Sequence, residues 1–214
     1  TDASGINLEY DLRLLPANQV ESIEIMKGAA STLYGSGAAT AVINITLKKA
    51  AKKTIEANGY WNLGTYNTAS TSKKEPQDYN QGFSIGGSLK KFNYLATLNS
   101  TETSGMSQIA EPNENVTYEE DRFSRINYLA KMGYKATDKL TLDFFGSYDK
   151  INNDYDGSFD NTGKNDITQN QSDSKQFRAG FLPKYKYNNG EFVLNSSYNS
   201  IQRLYNALDT YSQK

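Results

Sequence analysis

The chain has 214 residues with 23 basic and 24 acidic side chains, and its net charge of -1 gives no basic excess of the kind that nucleic-acid-binding proteins carry. It contains no cysteine and no histidine, which excludes disulfides, thiolate chemistry and histidine-based catalysis or metal binding. Its 16 tyrosines stand beside 9 Phe and 1 Trp, and such amphipathic rings suit strand surfaces and membrane interfaces.

The first fifty residues predict a mixed α+β segment. Pro16 is typical of the first turn of a helix, and Lys27 with Gly28 predicts a chain break after a short strand. In chain order, the predicted elements are a helix over residues 17–22, a strand over 23–26, a helical turn over 31–34 and a strand over 42–47.

From about residue 54 the apolar residues alternate with polar ones, which predicts antiparallel strands with one apolar and one polar face. Strands of about 9–11 residues are long enough to cross a membrane at a tilt. A soluble β-sandwich has the same alternation with its apolar face inward and shorter strands, of about 5–6 residues. The seven predicted strands cover residues 55–63, 82–89, 92–99, 125–135, 140–148, 177–187 and 192–204.

Short turns alternate with long polar stretches along these strands. The turns fall at Lys90-Lys91, at residues 137–139 and at residues 188–190. Such alternation is typical of the two ends of an outer-membrane barrel. Pro183, inside the sixth strand, predicts a bulge or a local break because proline cannot donate a ladder hydrogen bond. The long stretches, which would supply an outer ligand surface, are residues 66–81, 100–124 and 150–175.

Residues 15–48 resemble the C-terminal half of the plug of TonB-dependent receptors. The family's plug has an Ile-Glu-rich strand, a Lys/Arg-Gly corner, a Leu-Tyr-Gly turn, a Gly-rich loop and a Val-Ile-Asn-Ile strand, and all five parts occur here in that order. The family's usual Pro is Ala29 here, and its Gly-Gly is Thr40-Ala41. Gly28 and Gly37 favour an ordinary receptor over the glycan-importing type. The predicted plug-motif residues are Lys27, Gly28, Leu33, Tyr34, Gly35, Gly37, Ile43 and Asn44.

The resemblance implies an α+β plug fragment over residues 1–50, followed over 51–214 by about seven antiparallel strands of a transmembrane β-barrel. Barrels of this family have about 22 strands around a plugged lumen. The implied function is energy-coupled uptake of a scarce nutrient, such as a siderophore or cobalamin, across the outer membrane of a Gram-negative bacterium. The implied partners are outer-membrane lipid, the nutrient, and a TonB-type periplasmic energy-coupling protein that acts through a plug segment not in this sequence. We expect no catalysis, no cofactor and no nucleic-acid partner.

Two other functions stay open at this point. Seven strands cannot close a barrel. The sequence ends in Tyr211-Ser212-Gln213-Lys214, without the aromatic residue that outer-membrane barrels usually have at the last position, so we expect a part of a longer receptor. Open strand edges are also what a barrel-assembly or secretion machine would hold, which makes a client of such a machine the first alternative. A soluble β-rich binding domain is the second.

Several local patterns allow a functional and a plainer interpretation. Lys27 would pair with a barrel carboxylate by resemblance, or remain solvated. The glycines of the plug motif would bind an anion, or simply allow tight turns. Trp61, Tyr60 and Tyr66 would form an aromatic girdle, or pack in a core. The acidic run over residues 118–121 would select charged ligands, or be a solvated loop. A calcium loop is suggested by Asn152, Asp154, Asp156 and Asp160, although Gly163 stands where the bidentate Glu is needed.

Overall fold

The computed structural model describes residues 15–16, 19–28, 41–65, 76–104, 120–155, 159–160, 163–164 and 170–206. A two-stranded antiparallel sheet comes first, formed by β1 (Val20–Lys27) and β2 (Ala41–Leu47). Ile23 lies opposite Ile45 and Ile25 lies opposite Ile43. Among the described residues, no helix has the length and hydropathy needed to cross a membrane.

The main sheet is an antiparallel meander in which each strand pairs with the next one along the chain. β8 (Phe159–Asp160) and β9 (Gly163–Lys164), each two residues long, form a separate two-stranded sheet. β11 and β12 both pair with β10, so they act as one interrupted strand. The strands of the main sheet are β3 (Glu56–Gly64), β4 (Asp78–Leu89), β5 (Phe92–Thr103), β6 (Phe123–Lys135), β7 (Leu140–Asp154), β10 (Gln171–Tyr187), β11 (Gly190–Val193) and β12 (Ser196–Asn206).

The seven predicted strands are confirmed. At the short turns, most of the predicted strand ends coincide with the observed ends. Their long-loop ends were predicted too short: β7 continues to Asp154 and β10 begins at Gln171. The prediction followed the alternation of apolar residues, whereas the backbone ladder continues where both faces are polar. Parts of the predicted loops 66–81, 100–124 and 150–175 are therefore strand.

The two faces of the sheet differ in chemistry, as predicted. On the outer face, Phe83, Leu98, Tyr128 and Phe144 are 51%, 39%, 45% and 43% exposed. A sandwich core formed by the described strands would bury these side chains, so their exposure does not favour the soluble-sandwich interpretation of the alternation. Outer rings stack on one another instead, with the Phe144 and Phe181 centroids 4.7 Å apart.

The apolar part of the outer face has the height of a membrane core. On β10 it runs from Phe177 to Tyr187, and alternate residues between them are apolar. Ten residues at the usual rise and a tilt of about 40° span roughly 25 Å, which is the apolar band of outer-membrane barrels. Beyond Phe177 the outward residues become Lys175 and Asp173, so this end of the strand extends past the band.

The predicted helix over residues 17–22 is wrong for residues 20–22, which lie in β1; Ala17 and Asn18 lie outside the described residues. At the N-terminal end of β1, the Gln19 backbone N–H donates to the Pro16 carbonyl at 3.0 Å. The β-branched residues of β1 pair with those of β2, and this cross-strand packing outweighs the proline signal. The predicted strands over 23–26 and 42–47 are confirmed, and the helical turn over 31–34 lies outside the described residues.

The break predicted at Pro183 occurs in its partner strand. β11 ends at Val193 and β12 begins at Ser196, directly opposite the proline. The Pro183 carbonyl still accepts a hydrogen bond from Leu194 N–H at 3.1 Å, but proline has no N–H to return. The pairing of β10 with β7 keeps its register through Pro183, because Leu182 and Lys184, on either side of the proline, form the backbone hydrogen bonds to β7.

The turn between β6 and β7 is held by its own side chains. Thr137 Oγ1 accepts hydrogen bonds from the Lys139 and Leu140 backbone N–H groups. The Lys135 ammonium donates to Asp138 at 2.9 Å and holds the pKa of that carboxyl below its ordinary value. This pair is solvent-exposed and therefore contributes little to stability.

Candidate plug contact and inner wall

The face opposite the apolar band is lined by polar side chains in cross-strand register. At its centre, Asp149 is 1% exposed. Asn127 Nδ2 donates to Asp149 Oδ1 at 2.8 Å, and Arg178 Nη2 donates to Asp149 Oδ2 at 2.8 Å. Arg178 Nε also donates to Ser147 Oγ at 3.0 Å. A carboxylate this buried is stable only because the arginine and the amide replace its water.

A second cluster lies closer to β3. Tyr60 donates its hydroxyl to Asn99 Oδ1 at 3.2 Å, with Asn80 Oδ1 at 3.4 Å. Arg125 Nη2 donates to Thr101 Oγ1 at 3.2 Å. Gly82 lies between Tyr60 and Asn99 in the ladder, and a Cβ at position 82 would come within 2.5 Å of the Tyr60 ring. Glycine at this position therefore makes the space that the Tyr60 ring occupies.

The three residues predicted to form an aromatic girdle have different positions in the structure. Tyr60 faces the inner wall, so its assignment to a girdle is wrong; period-two alternation puts neighbours 60 and 61 on opposite faces. Trp61 faces outward, is 66% exposed and lies at the loop-side edge of the apolar band, where a girdle residue belongs. Tyr66 lies outside the described residues.

The small β1–β2 sheet is attached to this inner wall at its base. Gln19, 3% exposed, donates from Nε2 to Thr97 Oγ1 of β5 at 2.8 Å. Its carbonyl accepts a hydrogen bond from Lys48 N–H at 2.8 Å. The chain then follows β4, where Ser88 bonds the carbonyls of Ala51 and Lys53. Sequence patterns gave no signal for Gln19, because a polar residue beside a strand looks solvated until its partner is known.

Lys131 joins the wall to the same region. It lies on the inner face of β6, and its Nζ donates to the Lys48 carbonyl at 3.0 Å. The charged contact that the resemblance implies for Lys27 is thus not the one described here, in which a lysine of the wall donates to a backbone carbonyl.

We expect Lys131→Met to loosen the attachment of β1–β2. The substitution keeps the stem of the side chain but removes one charge-assisted hydrogen bond, worth on the order of 1 kcal/mol at a partly exposed site. Backbone amides of β2 should therefore exchange with deuterium about fivefold faster, measured by mass spectrometry on the intact protein. Lys135→Met is the matched control, since Lys135 pairs only with the exposed turn residue Asp138 among described residues. Equal exchange in both variants would contradict the attachment role.

Four of the eight predicted motif residues are described. Lys27 ends β1 and is exposed, and within the described ranges no ion pair involves it; its pairing with a barrel carboxylate stays a prediction. Gly28 has φ +106°, a left-handed conformation that explains why glycine ends this strand. Asn44 Nδ2 donates to Glu24 Oε2 at 3.1 Å across the sheet, and Ile43 is exposed. The other four, Leu33, Tyr34, Gly35 and Gly37, lie outside the described residues.

The suggested calcium residues do not form a loop where they are described. Asn152 and Asp154 belong to β7, and Asp154 Oδ2 accepts a hydrogen bond from Arg122 N–H at 3.4 Å. Asp156 lies outside the described residues, and for Asp160 only the backbone is described. Within the described ranges, no three acidic, histidine or cysteine side chains come together as a metal site would need.

Comparison with known proteins adds a family to this geometry. Residues 3–42 match the model of the TonB-dependent receptor plug domain. A probable TonB-dependent siderophore receptor of Acinetobacter baumannii is 36% identical over 81 residues, which are 38% of this chain and 10% of that protein. A ferric enterobactin receptor of Pseudomonas aeruginosa is 37% identical over 79 residues, 37% of this chain and 10% of the relative. The matched region spans about a tenth of the length of these curated relatives.

The fold also has a counterpart among solved structures. A crystal structure of a mutant ferric enterobactin receptor of Pseudomonas aeruginosa, in complex with enterobactin, superposes with a TM-score of 0.65 at 20% identity. The superposition covers 91% of this chain and 29% of that one. At this identity the likeness concerns the fold, an antiparallel barrel wall. Residues 3–42 therefore have the sequence of a TonB-dependent receptor plug domain, and the main sheet has the fold of an antiparallel barrel wall.

Proposed function

We propose that this chain belongs to a receptor that imports a ferric siderophore across the outer membrane, with residues 1–50 as the C-terminal part of the plug and 51–214 as barrel wall. The observation that carries the proposal is the contact between plug-type sequence and a polar, inward-facing wall, through Gln19–Thr97 and Lys131–Lys48. The relatives that match this chain over 79 to 81 residues are named as siderophore and enterobactin receptors. Their names support a ferric siderophore over cobalamin or another nutrient as the ligand.

The proposed mechanism is binding and gating, with no chemical step. The apolar outer face would contact lipid, and the inner wall would hold the plug through a small number of hydrogen bonds. Contacts of this kind, on the order of 1 kcal/mol each, are weak enough for a periplasmic energy-coupling protein to break in sequence. The uncovered isoleucines of β1–β2, Ile23 at 59% and Ile25 at 62% exposed, would pack against further plug sequence.

Deletion of residues 15–48 from the receptor tests the gate. We expect cells carrying the deletion to lose energy-coupled uptake of radiolabelled ferric enterobactin and to become sensitive to a bulky hydrophilic antibiotic. Cells with the unaltered receptor and a collapsed proton gradient should lose the uptake alone. The amount of receptor in the outer membrane must be matched by immunoblot. Coupled uptake that persists without any leak would refute the gate assignment.

The client alternative needs another chain at the free edges of β3 and β12, and the named relatives do not favour it. Crosslinking from Asn62 and Asn199 to a barrel-assembly protein in growing cells would be its test. A transient crosslink during biogenesis is expected of every outer-membrane barrel, so only a persistent one in mature membranes would favour a client role.

A further inference from the structure

The outer face of the sheet carries a shallow apolar groove of about 470 Å³. Its floor is made by small residues in direct register, Ala96 opposite Ala130 and Ala130 opposite Gly146. Aromatic side chains form its wall on the loop side, among them Phe83, Tyr128, Tyr148 and Phe177. The groove therefore offers a rod-shaped apolar ligand a wider contact area than a flat strand surface does.

A pair of lysines lies just beyond this wall. Lys150 and Lys175 are directly opposite each other in the β7–β10 ladder, and both point outward, two residues past Tyr148 and Phe177. Like charges in this arrangement repel. Lys175 Nζ is 3.6 Å from Asp173 Oδ2, whereas Lys150 forms no ion pair within the described residues. The pair keeps a net positive charge at the boundary between the apolar band and the polar strand ends.

We propose that the groove and the lysine pair together bind one phosphorylated glycolipid of the outer leaflet. An acyl chain would lie in the groove against Ala130 and Gly146, and a phosphate would accept hydrogen bonds from Lys150 and Lys175. Gly146 and Lys150 are four residues apart, roughly 13 Å along the strand, which separates a headgroup from the interior of its chain. The inference rests on the proposed membrane placement, in which the long-loop ends of the strands face outward.

The lysine pair is tested by lipid titration of the purified receptor in detergent, followed by native mass spectrometry. The probe is bisphosphorylated lipid A, with dephosphorylated lipid A and phosphatidylglycerol as comparison ligands. We expect the double variant Lys150→Gln/Lys175→Gln to raise the Kd for lipid A about tenfold, since two charge-assisted hydrogen bonds are lost. Lys135→Gln/Lys139→Gln removes the same charge at the turn end and should leave the Kd unchanged within about twofold.

Ala130→Leu tests the groove independently, because it fills the floor without altering charge. It should weaken lipid A and dephosphorylated lipid A by a similar factor, of about three to ten. An unchanged Kd in both the lysine and the leucine variants would overturn the proposal, and so would equal binding of phosphatidylglycerol and lipid A. A receptor that fails to fractionate with the outer membrane would instead refute the proposed function, and this readout does not depend on the lipid titration.

Discussion

Arg178→Met should lower the free energy of unfolding of the receptor by about 3 kcal/mol, because it leaves the Asp149 carboxylate buried without its main counter-charge. Asp149 is 1% exposed and Arg178 donates to it at 2.8 Å, so water cannot replace the arginine without opening the wall. Urea unfolding of the receptor in phospholipid vesicles, followed by tryptophan fluorescence, measures the loss. The single Trp61 of this segment lies on β3, away from the substitution.

Two further variants separate this ion pair from general damage to β10. Arg178→Met/Asp149→Leu removes both charges and should recover most of the lost stability, since a buried pair often contributes little over an apolar replacement. Lys184→Met removes an exposed pair with Glu191, 3.9 Å apart, and should cost less than about 1 kcal/mol. A double variant as unstable as Arg178→Met would show that Asp149 needs no counter-charge.

The sheet could be predicted from the sequence because each strand carries its own evidence. Alternating apolar residues from Phe177 to Tyr187 identify both the strand and its outward face without knowledge of any neighbour. The loop-side ends could not be predicted, since Gln171 to Lys175 form a ladder whose side chains are polar on both faces. At those positions the strand is fixed by backbone pairing with β7, which a single sequence does not show.

The sequence predicts that the inner wall is a polar face, but it does not predict which side chains on that face bind one another. Arg178 and Lys131 belonged to the polar alternation, yet their roles differ: Arg178 neutralises Asp149 two strand positions away in register, and Lys131 reaches the carbonyl of Lys48. Contacts between residues 83 apart in sequence, as in this last bond, depend on how the small sheet docks. The family resemblance implies a different charged group, Lys27, for a contact with the barrel, and that pairing stays a prediction.

The placement of the apolar band predicts a depth gradient on the outer face. Ala130 is exposed and lies midway along the apolar stretch of β6, between Ile126 and Tyr134. Ala130→Arg should therefore lower the free energy of unfolding from phospholipid vesicles by about 2–4 kcal/mol, the cost of an arginine at the bilayer midplane. Ser124, outward on the same strand but beyond the band, gives the control: Ser124→Arg should cost about 0–1 kcal/mol.

The comparison isolates the membrane because both substitutions add one arginine to the same face of the same strand. In water neither position would bury the new charge, and both variants would lose less than about 0.5 kcal/mol, as surface substitutions usually do. A gradient between them requires a surrounding medium that excludes charge at the height of Ala130 and admits it at the height of Ser124. Equal small losses would mean that water, rather than lipid, contacts Phe83, Leu98, Tyr128 and Phe144, and the transport function proposed for this chain would lose its physical basis.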